Sequence, residues 1–178
     1  MKKINFIISI ALLVYCNIAN AQQITLNKDV NINLPKNTQK ITKEEALQHV
    51  TKTFNNDKIL YNSISRRRFD NVYKINNVLI SLFTDNQKVN GDHLYLTKKG
   101  FDELFKENHT YSATLKSVND YSALIINYSL VNVYYYRLFC YNKDNSKAVT
   151  GILEYNQSDA IQAKTILDEL IKGIRFAN

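Results

Sequence analysis

Tryptophan is absent from this 178-residue chain, and proline (one), methionine (one), cysteine (two) and glycine (four) are scarce. Each shortage excludes something. Four glycines leave no glycine-rich loop whose backbone amides would cradle a phosphate. There is no G-x-S-x-G elbow, no H-E-x-x-H zinc helix and no EF-hand loop either, so no linear catalytic or metal motif is legible. No Pro/Gly/Ser-rich linker, low-complexity tract or internal repeat divides the chain, which predicts one domain over residues 22–178. The apolar run Phe6 to Cys16, broken by Ser9, is too short to cross a bilayer, which takes about 20 residues.

What that short run does fit is a secretory signal. Met1-Lys2-Lys3 supplies the basic start, and Ala19-Asn20-Ala21 supplies the small-x-small site, with Gln22 following as the expected mature N-terminus. Residues 1–21 are therefore read as a signal peptide and the remainder as an exported protein, periplasmic or secreted. Cys16 opens a lipoprotein alternative, but the bulky Tyr15 before it suits that peptidase poorly. Cleavage after Ala21 leaves 21 basic against 16 acidic residues, since Lys2 and Lys3 depart from the 23 basic residues of the full chain, a net charge of +5. That charge is spread along the chain. It suits an acidic protein partner and is not the footprint of a nucleic-acid binder.

Cleavage also makes Cys140 the sole cysteine, which rules out an intramolecular disulfide. Cys140 lies in the apolar, aromatic run Tyr134 to Tyr141 and reads first as a small buried hydrophobe. A reactive thiol needs exposed, electropositive surroundings. One cysteine and three scattered histidines do not compose a zinc site, and neither a metal nor a cofactor is expected.

Period-two alternation marks Val30 to Leu34 as a first strand closed by Pro35. Thr42-Lys43-Glu44-Glu45 has the form of a capping box, opening a helix with Leu47, Val50 and Phe54 inward and 46, 49 and 53 on the far side. Lys58 to Ser65 alternates loosely and reads as strand. Asn71 to Ile75 and Val78 to Phe83 flank Asn76-Asn77, a pair tolerant of positive φ and suited to a hairpin. After a turn at Asn90-Gly91, Thr97 is placed to cap a short helix carrying Phe101, Leu104 and Phe105 on one face. Three longer strands follow, Tyr111 to Ser117, Tyr121 to Leu130 and Val131 to Tyr141, then a turn at Asn145-Ser146 and a strand from Ala148 to Tyr155. Ser158 or Asp159 caps a last helix whose Ala163, Ile166, Leu167, Leu170, Ile171 and Ile174 form one apolar stripe ending near Gly173. The expected fold is α+β: an antiparallel meander packed by a long C-terminal helix and shorter N-terminal helices.

Three stretches resemble the Mog1/PsbP-like fold, including the DcrB-like periplasmic proteins. They are the opening strand Val30-Asn31-Ile32-Asn33-Leu34-Pro35, the three-strand block from Tyr121 to Tyr155, and the closing helix from Ala163 to Phe176. The resemblance implies a central antiparallel sheet between helices and a binding or assembly role. Its motifs are packing motifs and transfer no site residue. The chain departs from the pattern after the opening proline, where a tryptophan is common.

Two features are candidate partner-binding sites. Arg66-Arg67-Arg68 offers guanidiniums suited to bidentate grip on carboxylates or phosphates. In a strand, Arg66 and Arg68 would share one face and Arg67 the other. The run reads first as a solvated loop or sheet rim, and alternatively as an anionic docking patch. Tyr134-Tyr135-Tyr136 is the second. Alternation groups Tyr134 and Tyr136 with Leu138 and Cys140, and Tyr135 with Val133, Arg137 and Phe139. One set belongs under a helix; the other is core as well, or an exposed face for a protein partner. Among the histidines His49, His93 and His109, only His93 has a neighbouring carboxylate, Asp92, to orient it for acid–base work.

These observations imply an exported, non-catalytic binding protein acting through a sheet face or rim, of a periplasmic immunity type or an envelope assembly factor. A carrier of a small amphipathic ligand held between sheet and last helix, and a hydrolase using His93 with Asp92, are the alternatives.

Overall fold

Asparagine does here what glycine does in most proteins. Among the described residues, six of the seven non-glycine residues with positive φ are asparagines (Asn37, Asn55, Asn56, Asn76, Asn119 and Asn145), and no glycine adopts positive φ. The short amide side chain tolerates the left-handed region and hydrogen-bonds its own backbone, so the chain turns tightly with few glycines. Asn76, Asn119 and Asn145 sit in strand-to-strand connections.

The structure is a computed structural model and describes residues 22–177. The proposed signal, residues 1–21, lies outside the described residues. Strands β1 (Gln22–Asn27) and β2 (Val30–Leu34) open the fold, followed by the short β3 (Gln39–Lys40) and helices α1 (Lys43–Thr53) and α2 (Lys58–Ser65). The hairpin β4 (Val72–Ile75) and β5 (Val78–Asp85) leads into α3 (His93–Leu104). Then come β6 (Ser112–Val118), β7 (Tyr121–Leu130), β8 (Val133–Asn142), β9 (Ala148–Tyr155), α4 (Ala160–Gly173) and β10 (Ile174–Phe176).

Seven strands form one antiparallel sheet in the order β3-β4-β5-β9-β8-β7-β6, and β1-β2-β10 form a second, three-stranded antiparallel sheet. The large sheet is two runs of neighbours rather than one meander: β5 joins β9, and α3 carries the chain to the far edge, where β6 begins. Val30–Leu34, expected as the first strand, is the second: Gln22–Asn27 precedes it, and it is the central strand of the small sheet.

Each face of the large sheet carries a core layer. On one, α4 and β2 pack with Ile80, Leu138, Cys140, Leu153 and Tyr155; on the other, α1 and α2 with Leu94 of α3 close over Leu79, Leu124, Ile126 and Tyr135. The class is α+β, with the sheet between helices. The apolar stripe of α4 is buried throughout, and Gly173 ends the helix against β2, where a Cβ would lie 2.3 Å from the Asn33 carbonyl oxygen. The capping box is present in full: Glu45 N–H donates to Thr42 Oγ1 at 3.2 Å, and Thr42 N–H to Glu45 Oε2 at 2.7 Å.

Four local expectations change. Lys58–Ser65 is a helix, not a strand, because Asp57 accepts the Leu60 N–H at 2.8 Å and Leu60 and Ile64, four apart, both reach the core. The third helix begins at His93, so Thr97 lies inside it; Phe101 and Phe105 stack in parallel at 5.9 Å, which turns Leu104 out to 73% exposure. Ala46 is buried with Val50, against its assignment to the outer side. A 3₁₀ turn, Gln157–Asp159, precedes α4, and the Asp159 side chain makes no cap bond.

Val131, in the turn between β7 and β8, holds φ 55° at 72% exposure. A β-branched residue is strained there, while asparagine adopts this conformation readily. Val131→Asn is expected to raise stability by about 1 kcal/mol, read as a higher urea midpoint at unchanged slope.

Candidate functional site

The arginine run follows the last turn of α2 rather than lying in a strand. Arg66 takes the C-cap position with right-handed φ and ψ, and the Arg67 N–H turns back to the Ile64 carbonyl at 3.1 Å. That turn lays the Arg67 side chain over the sheet. Its Nη2 donates to Glu154 Oε1 at 2.5 Å and its Nη1 to Oε2 at 3.1 Å, with Ser81 Oγ at 2.6 Å and Ser63 Oγ at 3.2 Å as further acceptors. The two side chains are 8% and 0% exposed. Burial opposes the guanidinium charge, and the Glu154 carboxylate more than offsets it, so the arginine's pKa is raised. Arg67 is therefore committed inside the fold, whereas Arg66 and Arg68 stand exposed on either side of it.

The tyrosines divide as alternation predicts. Tyr135 is 7% exposed and stacks on Tyr128 at 5.0 Å, beneath the helices. Tyr134 and Tyr136 point to the opposite face, half-buried against the Tyr155 ring at 5.8 and 5.2 Å. Tyr155 in turn donates to Asn127 Oδ1 at 2.9 Å. Neither set forms an open tyrosine face. The arginine run and the pair Tyr134 and Tyr136 lie on opposite sides of the sheet, so the five candidates do not compose one site.

The other reactive side chains are occupied locally. His49 Nε2 lies 3.2 Å from the Asn77 carbonyl oxygen, which assigns its proton there, and Nδ1 faces Thr53 Oγ1 at 3.5 Å. The His93 ring meets Tyr141 edge-on at 5.3 Å, and no hydrogen bond joins it to Asp92 among the described residues. His109 is exposed. Cys140 is fully buried, and burial pushes its thiol pKa far up, which suppresses the thiolate. No group of three or more His, Cys, Asp or Glu that could hold a metal ion occurs among the described residues.

Two functional-looking residues lack any linear motif. Glu154 sits between Leu153 and Tyr155 in a core strand, and a lone carboxylate in such a run signals a buried partner. Arg137 lies mid-sheet in β8. Its Nε donates to Tyr128 Oη at 3.0 Å, its guanidinium carbon is 5.8 Å from the Phe101 ring centre, and it makes no ion pair among the described residues.

No protein-family model matches the chain, and no curated protein matches it. Among solved structures it is similar to the solution structure of cyanobacterial PsbP (CyanoP) from Synechocystis sp. PCC 6803, with 11% identity over 90% of this chain and 96% of that one, at a TM-score of 0.49. That structure belongs to the fold group the sequence resembles; the α+β assignment here stands on strand order and layers alone.

Removing one member of the buried ion pair leaves the other charged and unpartnered. Arg67→Met is expected to cost about 3–5 kcal/mol, and the double variant Arg67→Met with Glu154→Met to recover most of it, both read from urea unfolding. Burial lowers the His49 pKa from 6.5 despite the Asn77 contact, so below about pH 6.5 the unfolded chain binds the proton more readily than the native one. Stability is expected to fall as pH drops through this window, and His49→Gln to flatten that part of a melting-temperature profile.

Proposed function

We propose that this is an exported binding protein without chemistry of its own, which takes an acidic protein partner on the rim formed where α2 ends. The observation that carries the reading is the anchoring of Arg67. A bidentate, buried pair pins the middle residue of the run, and its two neighbours are thereby held on the surface in a fixed relation. Both cations are thus presented from one anchored stretch of backbone, and arginine grips carboxylates in a planar fork. Neither Arg66 nor Arg68 makes an ion pair among the described residues.

Export rests on the signal-like residues 1–21, and among the described residues no helix is long and apolar enough to cross a membrane. Within this class the chain is an immunity-type protein that plugs a secreted toxin, or an envelope assembly factor; a toxin gene beside its own would favour the first. Tyr134 and Tyr136, half-buried on the opposite face, offer a second and smaller contact area.

The ligand-carrier alternative rests on a depression of about 400 Å³ between α4 and the end of β2, where Leu34, Ile75 and Ile166 mix with Lys36, Gln162 and Glu169. The rest of the α4 interface is filled by Ala163, Leu167 and Leu170. Native mass spectrometry of protein from its own host distinguishes the two readings: a bound small molecule supports the carrier.

Affinity purification after crosslinking in cells is expected to recover one stoichiometric acidic protein. Arg66→Ala with Arg68→Ala should weaken that complex at least about tenfold and reduce its salt dependence, with the melting temperature unchanged. Unchanged affinity in the double variant removes the rim from the interface.

A further inference from the structure

The helical layer over the sheet has a gap. On that face one cross-strand row, Tyr128, Tyr135, Glu154 and Leu79, is buried throughout. The next two rows are not. In them Ile126, Leu124 and Ser81 are buried, yet Arg137, Ile152, Phe139, Thr150 and Phe83 retain contact with solvent. Helix α3 packs on β6 and β7, and α2 reaches the sheet at Ser81 and Glu154 through Arg67. What lies between is a partly covered strip on β8, β9 and β5, three strands or roughly 10 Å across, in which Phe139 and Ile152 lean on the helical core and keep part of their surface in solvent. Phe83 packs into neither core.

Charge singles out this strip. Glu154, in the neighbouring row, accepts from Arg67 through both oxygens and is not bridged to Arg137. Arg137 donates only through Nε, to Tyr128, among the described residues. No fully buried side-chain nitrogen or oxygen among the described residues lacks a partner, so its two Nη groups, which have none, keep some contact with solvent. A half-buried guanidinium framed by Phe139, Ile152 and the overhanging Phe101 is less well hydrated than a surface one, and two of its N–H edges match a planar acceptor. Exposed Arg68 borders the same end, beside Phe83, Thr84 and Asp70.

We propose that this trough receives an acidic side chain and the apolar side chain next to it from the protein partner, with Arg137 holding the carboxylate in bidentate fashion. The inference rests on the binding reading above and names the chemistry of what is bound. The width of the strip suits one or two side chains of an inserted segment, and its free charge selects an acid.

The probe is acetyl-aspartyl-phenylalanyl amide, titrated into isotope-labelled protein and followed in two-dimensional amide spectra, with the asparaginyl dipeptide and hexanoate as comparisons. The aspartyl peptide is expected to shift the signals of Arg137, Phe139, Thr150 and Ile152 saturably. The asparaginyl peptide should bind about tenfold more weakly or worse, and hexanoate more weakly than the aspartyl peptide. Arg137→Gln should abolish the preference for the acid, while Arg137→Lys keeps part of it. Equal binding of the two peptides to the unaltered protein overturns the proposal, as do shifts confined to other surfaces or a preference undiminished in Arg137→Gln. Hexanoate binding at least as tightly reassigns the trough to a free carboxylate ligand and also overturns it. The peptide comparison needs no variant to fold. Capture of the crosslinked partner at full strength by Arg137→Gln would remove the trough and leave the rim, whereas absence of any partner from the unaltered protein removes the binding reading itself.

Discussion

A guanidinium and a carboxylate buried together are expensive to bring out of water, and Arg67 and Glu154 are held there only because their geometry is complete. Both carboxylate oxygens accept from the guanidinium, and Ser81 and Ser63 take further donors. The pair spans the junction of β5 and β9, where the two strand runs of the large sheet meet, and ties it to the end of α2. Once it forms, the loop after α2 has little freedom, and the outward placement of Arg66 and Arg68 follows from the inward placement of their neighbour.

The same clamp shapes the helical layer. Arg67 brings α2 to the sheet on one side, and on the other α3 is seated by an aromatic column: Phe101 stacks on Phe105, Phe105 meets Tyr111 and Tyr128, and Tyr128 stacks on Tyr135. Two helices fixed independently need not meet. The strip they leave partly exposed contains Arg137, which has no ion-pair partner among the described residues, and that coincidence of a gap with an unpaired charge gives the surface its chemical character. Across the sheet no such gap exists along most of α4, where complementary packing against β2 and Tyr155 closes the second core.

Much of this was legible residue by residue. The capping box at Thr42, the Asn76-Asn77 hairpin, the strand from Ala148 to Tyr155 and the stripe of α4 are local patterns governed by interactions among residues a few positions apart. Where local signals compete, the local pattern misleads. The loose alternation of Lys58 to Ser65 masks an i,i+4 pair, Leu60 and Ile64, behind an aspartate cap, and Leu104 lies by spacing beside Phe101 and Phe105 yet sits roughly a quarter of a turn from the stacked rings. The tyrosines of β8 do alternate between the two faces, but alternation says which residues share a face and not whether anything covers it.

By itself, then, the amino-acid sequence determined the class of the fold, most of its elements, the placement of turns at asparagines and the division of side chains between two faces, because caps and periods act over short distances. It also carried the signal-like start on which the export reading rests. Only the tertiary structure decided that Arg67 belongs to Glu154, 87 positions away, that its neighbours remain outside, and that Arg137 lies in a strip the helices cover only in part. Those facts depend on which strands become neighbours and where two separate helices come to rest, and no local period encodes either.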